Sequence, residues 1–158
     1  MTDALANERR FRLLTLVDNF SRVSPAIVAD FSLSGQRVVA VLDALAACGQ
    51  KPKVLQVDNG PEFISKALDA WAHQNGVHLA FSRPGTPTDN PFIEAFNGRL
   101  RQECLNQHWF LSLDEARSKL EAWRVDYNTE RPHSALGLQT PEQFVEDWQA
   151  KAAKHQEN

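Results

Sequence analysis

The sequence is poor in several features that would place it in a particular class of protein. It has two cysteines in 158 residues, Cys48 and Cys104, and each falls in an apolar helical pattern. We interpret them as buried thiols of a reducing compartment rather than as a disulfide or a metal site. No apolar run reaches the roughly 18 residues that indicate a membrane span. Residues 1–12 carry charges where a secretory signal would have an apolar stretch, so we expect a cytoplasmic protein with no membrane association.

Positive charge is not in excess either. Lysine and arginine number 17 against 20 aspartates and glutamates, which gives a net charge of −3. A protein that does nothing but bind nucleic acid is usually basic, so this balance argues against that class. It leaves open an enzyme that meets DNA through one local basic face. The length and the 42% apolar content fit one domain with its own core, which we assign to residues 1–150, followed by a polar tail over 151–158.

Short apolar runs alternate with helical periodicities, which predicts a mixed α/β fold whose last third is helical. Strands are predicted over residues 11–17, 24–29, 53–57 and 77–81, the first two as an antiparallel pair. Helices are predicted to begin after Ser34, at Pro61, after Asn90, after Ser112 and after Thr140. The strand–helix–strand order in the middle favours a partly parallel sheet. Residues 83–89 are rich in proline, glycine and threonine, so we expect an irregular and mobile loop there.

Two carboxylates occupy distinctive points in this pattern. Asp58 closes an apolar strand, and Gly60 lets the chain turn away without crowding its carboxylate. Glu94 follows after 35 intervening residues, on the first turns of a helix whose start is marked by Asn90 and Pro91. Functional groups of open α/β sheets gather at the carboxyl ends of strands, which is where Asp58 is predicted to lie.

The predicted helix that carries Glu94 has two neighbouring faces. An apolar stripe suited to packing on the sheet consists of Ile93, Phe96, Leu100 and Cys104. A polar stripe, about a quarter of a turn away, consists of Glu94, Asn97 and Arg101. Packing of the apolar stripe would aim the polar stripe along the edge of the sheet. We therefore predict that carboxylate oxygens of Asp58 and Glu94 lie within about 8 Å of each other, close enough to share an ion.

Convergent carboxylates make a hard-oxygen site that suits Mg²⁺ or Mn²⁺. Two such ions can activate a water or a 3′-hydroxyl and stabilise the leaving oxygen of a phosphodiester. Asp58 and Glu94 are therefore predicted to be metal ligands and catalytic residues. Asn59, Asn97 and Arg101 are predicted to face DNA as hydrogen-bond donors.

These residues resemble a known signature. Val57-Asp58-Asn59-Gly60-Pro61-Glu62-Phe63, the 35-residue gap, Glu94 and the later Arg101 resemble the D,D(35)E pattern of retroviral integrases and integrase-like insertion-sequence transposases. The transposases' second-reading-frame protein is the nearer match, through three further segments: Leu16-Val17-Asp18-Asn19-Phe20-Ser21-Arg22, Asp126-Tyr127-Asn128, and Arg131-Pro132-His133-Ser134-Ala135-Leu136-Gly137 with Thr140-Pro141. The match covers about residues 3–148.

The resemblance carries expectations for fold, chemistry and partners. It implies a ribonuclease H-like mixed sheet flanked by helices, with cleavage and strand transfer at transposon ends that depend on two Mg²⁺ or Mn²⁺ ions. It implies DNA as partner, both transposon ends and target, and a homo-oligomer in the active assembly. A protein of this kind would be cytoplasmic and nucleoid-associated.

One departure from the family's pattern concerns the first strand. The family has a catalytic aspartate in that strand, a few residues before a second aspartate at its end. Asp3 fits the second, so the catalytic one would fall upstream of Met1. Asp18 is not expected to replace it, because it matches a noncatalytic aspartate of the family. We therefore expect an N-terminally truncated core with its first strand largely missing, a gapped sheet and weak activity.

Two other functions remain open at this point. The chain could be a non-catalytic remnant that binds DNA or pairs with intact transposase subunits, which the missing aspartate favours. It could also be a ribonuclease H-like nuclease without transposition, although the Arg131-Pro132-His133 segment favours transposition.

Overall fold

Residues 1–157, which the computed structural model describes except for the side chain of Pro87, form five short strands and five helices. The strands are β1 (Thr2–Ala4), β2 (Arg10–Thr15), β3 (Ile27–Asp30), β4 (Val54–Val57) and β5 (His78–Phe81). The helices are α1 (Gly35–Ala47), α2 (Lys66–Asn75), α3 (Pro91–Glu103), α4 (Leu113–Thr129) and α5 (Pro141–Gln156). Asn158, the end of the predicted polar tail, lies outside the described residues, while α5 continues through most of that exposed segment.

The strands form two separate sheets. β1, β2 and β3 make one antiparallel sheet in that order, which confirms the predicted pairing of the first long strands. β4 and β5 make a second, parallel sheet joined through α2. The parallel part of the fold therefore comes from the β4–α2–β5 unit rather than from the earlier β3–α1–β4 segment.

A cavity of about 480 Å³ lies between the two sheets and is lined by residues of both. Its walls include Leu13–Thr15 of β2, Leu16 directly after that strand, and Leu55–Val57 of β4. Met1 exchanges two backbone hydrogen bonds with Leu13, of 3.0 and 3.1 Å, and lines the cavity at the end of β1. Past Leu13, the edge of β2 therefore faces the cavity rather than another strand.

Helices pack on both faces of the three-stranded sheet because β2 alternates its side chains. Phe11 and Leu13 point into a core shared with α3 and α4. Leu14 points the other way, into a core shared with α1 and α2. The first core holds the fully buried rings of Phe96 and Phe110, so α3 is fixed on the sheet by its apolar stripe, as predicted.

Two local predictions were wrong. The second helix begins at Lys66 and not at Pro61, because the Ser65 hydroxyl caps it by accepting from the Leu68 N–H at 3.1 Å. Cys104 is buried as predicted, but Cys48 is exposed, because it caps the C-terminal end of α1. No helix among residues 1–157 is long and apolar enough to cross a membrane.

Candidate active site

Asp58 lies directly after β4, exposed at the mouth of the cavity. Its Oδ1 atom accepts a 2.7 Å hydrogen bond from the Gly60 N–H, which fixes the carboxylate over the turn. A Cβ atom on residue 60 would lie 2.9 Å from Asp58 Oδ1 and 3.1 Å from the carboxyl group of Glu62. Glycine is therefore required here by close approach of two carboxylates, as the sequence indicated for Asp58.

Glu94 lies on the first turn of α3, which begins after Asn90 with Pro91 at its first position. Phe96 and Leu100 are 2% and 0% exposed, so the apolar stripe leaves Glu94 at the surface. The next residue of the polar stripe, Asn97, accepts a 2.7 Å hydrogen bond from the Thr15 hydroxyl at the end of β2. That bond ties α3 to the edge of β2 beside the cavity.

The cavity brings four of the five predicted site residues to one place. Asp58, Asn59, Glu94 and Asn97 all line it. Arg101 lies outside its lining and donates from Nη2 to the Thr2 carbonyl at 3.2 Å. The roles assigned to these residues, and the 8 Å limit for the two carboxylates, stay predictions.

The predicted DNA-contacting side chains are already hydrogen-bonded within the protein. Asn59 donates from Nδ2 to the Ser82 carbonyl at 2.5 Å, which joins the end of β4 to the segment after β5. Asn97 and Arg101 hold β2 and β1 as described above. Each of these side chains still has polar atoms without a hydrogen bond among the described residues, so the bonds fix its position and leave donors free for a further partner.

A third carboxylate at the cavity was missed. The Glu62 side chain is 10% exposed, and its Oε1 atom accepts from Arg12 Nη2 at 2.9 Å. Its Oε2 atom is buried and has no hydrogen-bond partner among residues 1–157. Glu62 stands inside the signature segment, but the tertiary fold alone brings it to Arg12, 50 positions earlier in the chain.

The cavity also holds a positive group. The pKa of the Met1 amine is lowered, chiefly by burial, and the nearby carboxylates of Glu62 and Asp58 offset only part of this shift. The amine donates to the Leu13 carbonyl at 3.1 Å, so this end of the cavity contains a partly desolvated ammonium among carboxylates.

The donor set fits a hard divalent cation. Carboxylate oxygens of Asp58, Glu62 and Glu94 line the same cavity, and oxygen is the ligand atom that Mg²⁺ and Mn²⁺ prefer. The unpartnered Oε2 atom of Glu62 is an acceptor that an ion or its water would satisfy. Within residues 1–157, however, no three side chains of histidine, cysteine, aspartate or glutamate are grouped closely enough to hold one ion.

The segment of residues 83–89, part of which lines the cavity, is joined end to end by hydrogen bonds. Asp89 accepts from Arg83 through Nε at 2.9 Å and Nη2 at 2.7 Å, and also from the Arg83 N–H at 2.9 Å. Pro87–Asp89 forms a 3₁₀ turn. The predicted loop therefore contains one short 3₁₀ turn and a bidentate ion pair between its two ends, and its mobility stays a prediction.

We expect this ion pair to persist to unusually low pH. The hydrogen bonds from Arg83 lower the pKa of Asp89 from 3.8 to about 2. Since the folded-state pKa is depressed, the contribution of Asp89 is complete above pH 3.8 and disappears as the pH falls through about 2. Titration of the Asp89 carboxyl carbon by NMR measures this directly. Asp89→Asn should speed amide exchange across residues 83–89, whereas Asp69→Asn on α2 should not; unchanged exchange in the first variant would contradict the proposed closure.

The comparisons with known proteins agree with this architecture. Two models of the integrase core domain match the chain, one over residues 1–87 and the other over residues 75–141. This chain belongs to the integrase core domain family.

Its relatives are proteins of bacterial insertion elements. The chain is 49% identical over 153 residues to an uncharacterized 31.7 kDa protein of insertion element IS407 from Burkholderia multivorans, covering 97% of this chain and 53% of that protein. It is 31% identical over 150 residues to the transposase of insertion sequence element IS904 from Lactococcus lactis, covering 91% of this chain and 58% of the transposase. The chain thus spans about half the length of the curated relatives that it matches.

Solved structures show the same fold. The HTLV-2 integrase catalytic core domain, in complex with magnesium in a trimeric form, is similar with a TM-score of 0.67 and 20% identity. The similarity covers 91% of this chain and 90% of that one. The predicted ribonuclease H-like fold is therefore confirmed, with five helices around two small sheets among the described residues.

Proposed function

We propose that this domain is the catalytic core of an insertion-sequence transposase and that it acts in metal-dependent cleavage and strand transfer of DNA. The observation that carries the proposal is the shared cavity of Asp58 and Glu94. Asp58 comes from the carboxyl end of β4 and Glu94 from the first turn of α3, so two separate elements converge on it. Membership of the integrase core family supports transposition over a nuclease function without it.

The chain's own residues bind, orient and shield the substrate in this proposal. Asp58 and Glu94 would hold Mg²⁺ or Mn²⁺, with two ions in the complete site. When bound, such ions supply activation of a water or 3′-hydroxyl and charge stabilisation at the leaving oxygen. Asn59, Asn97 and Arg101 would donate hydrogen bonds to phosphates and orient the strand along the cavity. The segment closed by Arg83 and Asp89 would limit entry of water from one side.

The partners proposed are DNA, as transposon ends and target, and further copies of the same protein in the active assembly. The trimeric form of the HTLV-2 integrase core supports the second of these. Action on chromosomal DNA would place the protein at the nucleoid.

A second candidate function is a non-catalytic subunit that binds DNA or pairs with intact transposase. The specific observation in its favour is that residues 1–157 contain no compact group of three metal-binding side chains. The two functions differ in one measurable property, since a non-catalytic subunit would leave DNA binding unaffected by the loss of Asp58 or Glu94 and would show no cleavage with any ion.

The test uses Asp58→Asn and Glu94→Gln, which keep side-chain size and remove charge. We expect each to weaken Mn²⁺ binding at least tenfold in electron paramagnetic resonance titrations and to abolish Mn²⁺-dependent cleavage of an insertion-end duplex. Asp69→Asn, an exposed aspartate on α2, is the matched control and should change neither property. Mn²⁺ binding that is equal in all three variants would exclude the proposed site.

A further inference from the structure

Glu62 is an unusual carboxylate because it is nine-tenths buried and only half satisfied. Arg12 pairs with Oε1 at 2.9 Å, whereas Oε2 is enclosed without a donor among residues 1–157. Buried polar atoms of native proteins are rarely left unpaired, and an ion or an ordered water is a common reason for an exception. The unpaired Oε2 atom therefore calls for a positive or hydrogen-donating partner, and Glu62 lines the cavity that could hold one.

The Asp58 carboxylate lies close to the Glu62 carboxylate across Gly60. The point where a Cβ on residue 60 would lie is 2.9 Å from Asp58 Oδ1 and 3.1 Å from Glu62 Oε1. Asp58 Oδ1 is already occupied by the Gly60 N–H, and Glu62 Oε1 by Arg12. Each carboxylate thus has one oxygen fixed by the protein and one left for a ligand.

The charges around this pair leave room for a cation. Arg12 balances one of the two carboxylates, and its own side chain is 38% exposed, so solvent screens part of its charge. Glu94 adds a further negative charge to the cavity lining.

We propose that Glu62 is a metal ligand of this site, in which Oε2 binds the divalent cation held by Asp58 while Arg12 fixes Oε1. The inference rests on the proposed metal-dependent function and extends it to a residue outside the Asp58 and Glu94 pair. It explains why one oxygen of a buried carboxylate is left without a partner. Arg12 competes with the ion for the charge of Glu62, so the loss of Arg12 leaves the whole carboxylate charge to the ion.

A merely structural Arg12–Glu62 ion pair is the alternative, and two variants separate the two roles. Glu62→Gln keeps the size of the side chain and an oxygen for Arg12 but removes the charge that would bind the ion. Arg12→Met removes the partner and keeps the carboxylate. A ligand role requires Mn²⁺ binding to be lost in the first variant and kept in the second. A structural role requires the two variants to behave alike, because each breaks the same pair.

The experiment is an Mn²⁺ titration of the full chain followed by electron paramagnetic resonance, with folding checked by circular dichroism. We expect Glu62→Gln to weaken Mn²⁺ binding at least tenfold and Arg12→Met to bind at least as tightly as the unmodified protein. Glu103→Gln is the matched control, because Glu103 is also paired with an arginine, Arg131, but lies outside the cavity. It should bind Mn²⁺ normally.

The outcomes distinguish this inference from the proposed function. If Asp58→Asn loses Mn²⁺ and Glu62→Gln keeps it, Glu62 is not a ligand and the proposed site stands. If Glu62→Gln and Arg12→Met weaken binding equally, the ion pair is structural and the inference is overturned. If Asp58→Asn, Glu94→Gln and Glu62→Gln all bind normally, the proposed function fails with it.

Discussion

An N-terminal extension that places a strand between β2 and β4 is expected to stabilise this domain and to raise its cleavage activity. A strand that gains about four hydrogen bonds at ~1 kcal/mol each would raise the melting temperature by about 8–16 °C in a domain of this size. The extension would carry an aspartate at the position that the D,D(35)E pattern predicts for that strand. We expect Mn²⁺-dependent cleavage of an insertion-end duplex to rise at least 100-fold.

The structure indicates where that strand would pair. The antiparallel register of β1 on β2, continued from the Met1–Leu13 pair, sets the second residue ahead of Met1 opposite Thr15. On the other side, the carbonyls of Lys53 and Val57 accept hydrogen bonds from the N–H groups of His78 and Ser82, at the two ends of the β4–β5 pair. Successive residues of a strand point their N–H and C=O groups to opposite sides, so those of Gln56 point away from β5 and toward the cavity. Both edges are thus prepared to accept hydrogen bonds from one inserted strand.

The control is an extension of equal length with two prolines, which cannot donate to either edge. It should leave the melting temperature unchanged. An extension with asparagine in place of the aspartate should stabilise the fold without raising cleavage, which separates the strand from the carboxylate. If the unextended chain cleaves as well as the extended one and Asp58→Ala abolishes it, another residue supplies the third ligand. Asp3 and Glu62 would then be tested by substitution.

Replacement of Phe96 by alanine is expected to give the largest loss of stability of any single change near the site. The ring is 2% exposed and packs edge-on against Trp123 at 5.4 Å and Tyr127 at 5.0 Å. Truncation of a buried phenylalanine typically lowers the free energy of unfolding by about 3–5 kcal/mol, a large share of the ~5–15 kcal/mol that stabilises a domain. Because Phe96 holds α3 on the sheet, Glu94 should also lose its position and Mn²⁺ binding should weaken.

Phe92→Ala is the matched control on the same helix. Phe92 is 36% exposed and contacts the Arg22 guanidinium at 4.0 Å, so its loss should cost about 1 kcal/mol or less. Urea denaturation followed by tryptophan fluorescence measures both free energies. A Phe96→Ala protein as stable as Phe92→Ala would show that α3 is not anchored by its apolar stripe.

Local patterns in the sequence determined much of this protein. The spacing of Ile93, Phe96 and Leu100 predicted which face of α3 is buried, because helical periodicity follows from backbone geometry alone. Thr140 and Gln143 predicted the start of α5, where both hydrogen bonds of the capping box are present. The strand that ends before Asp58 and the turn at Gly60 were likewise predictable, since they depend on neighbours within a few residues.

Only the tertiary structure decided the contacts between distant segments. The start of α2 was predicted at Pro61, whereas the helix begins after Ser65, whose hydroxyl accepts from the Leu68 N–H. The Arg12–Glu62 pair and the Thr15–Asn97 bond join residues 50 and 82 positions apart, whose proximity no local pattern encodes. Their geometry follows from the packing of whole helices and strands. The position of Glu62 at the cavity could therefore not be predicted, because it depends on the contact between β2 and the turn after β4.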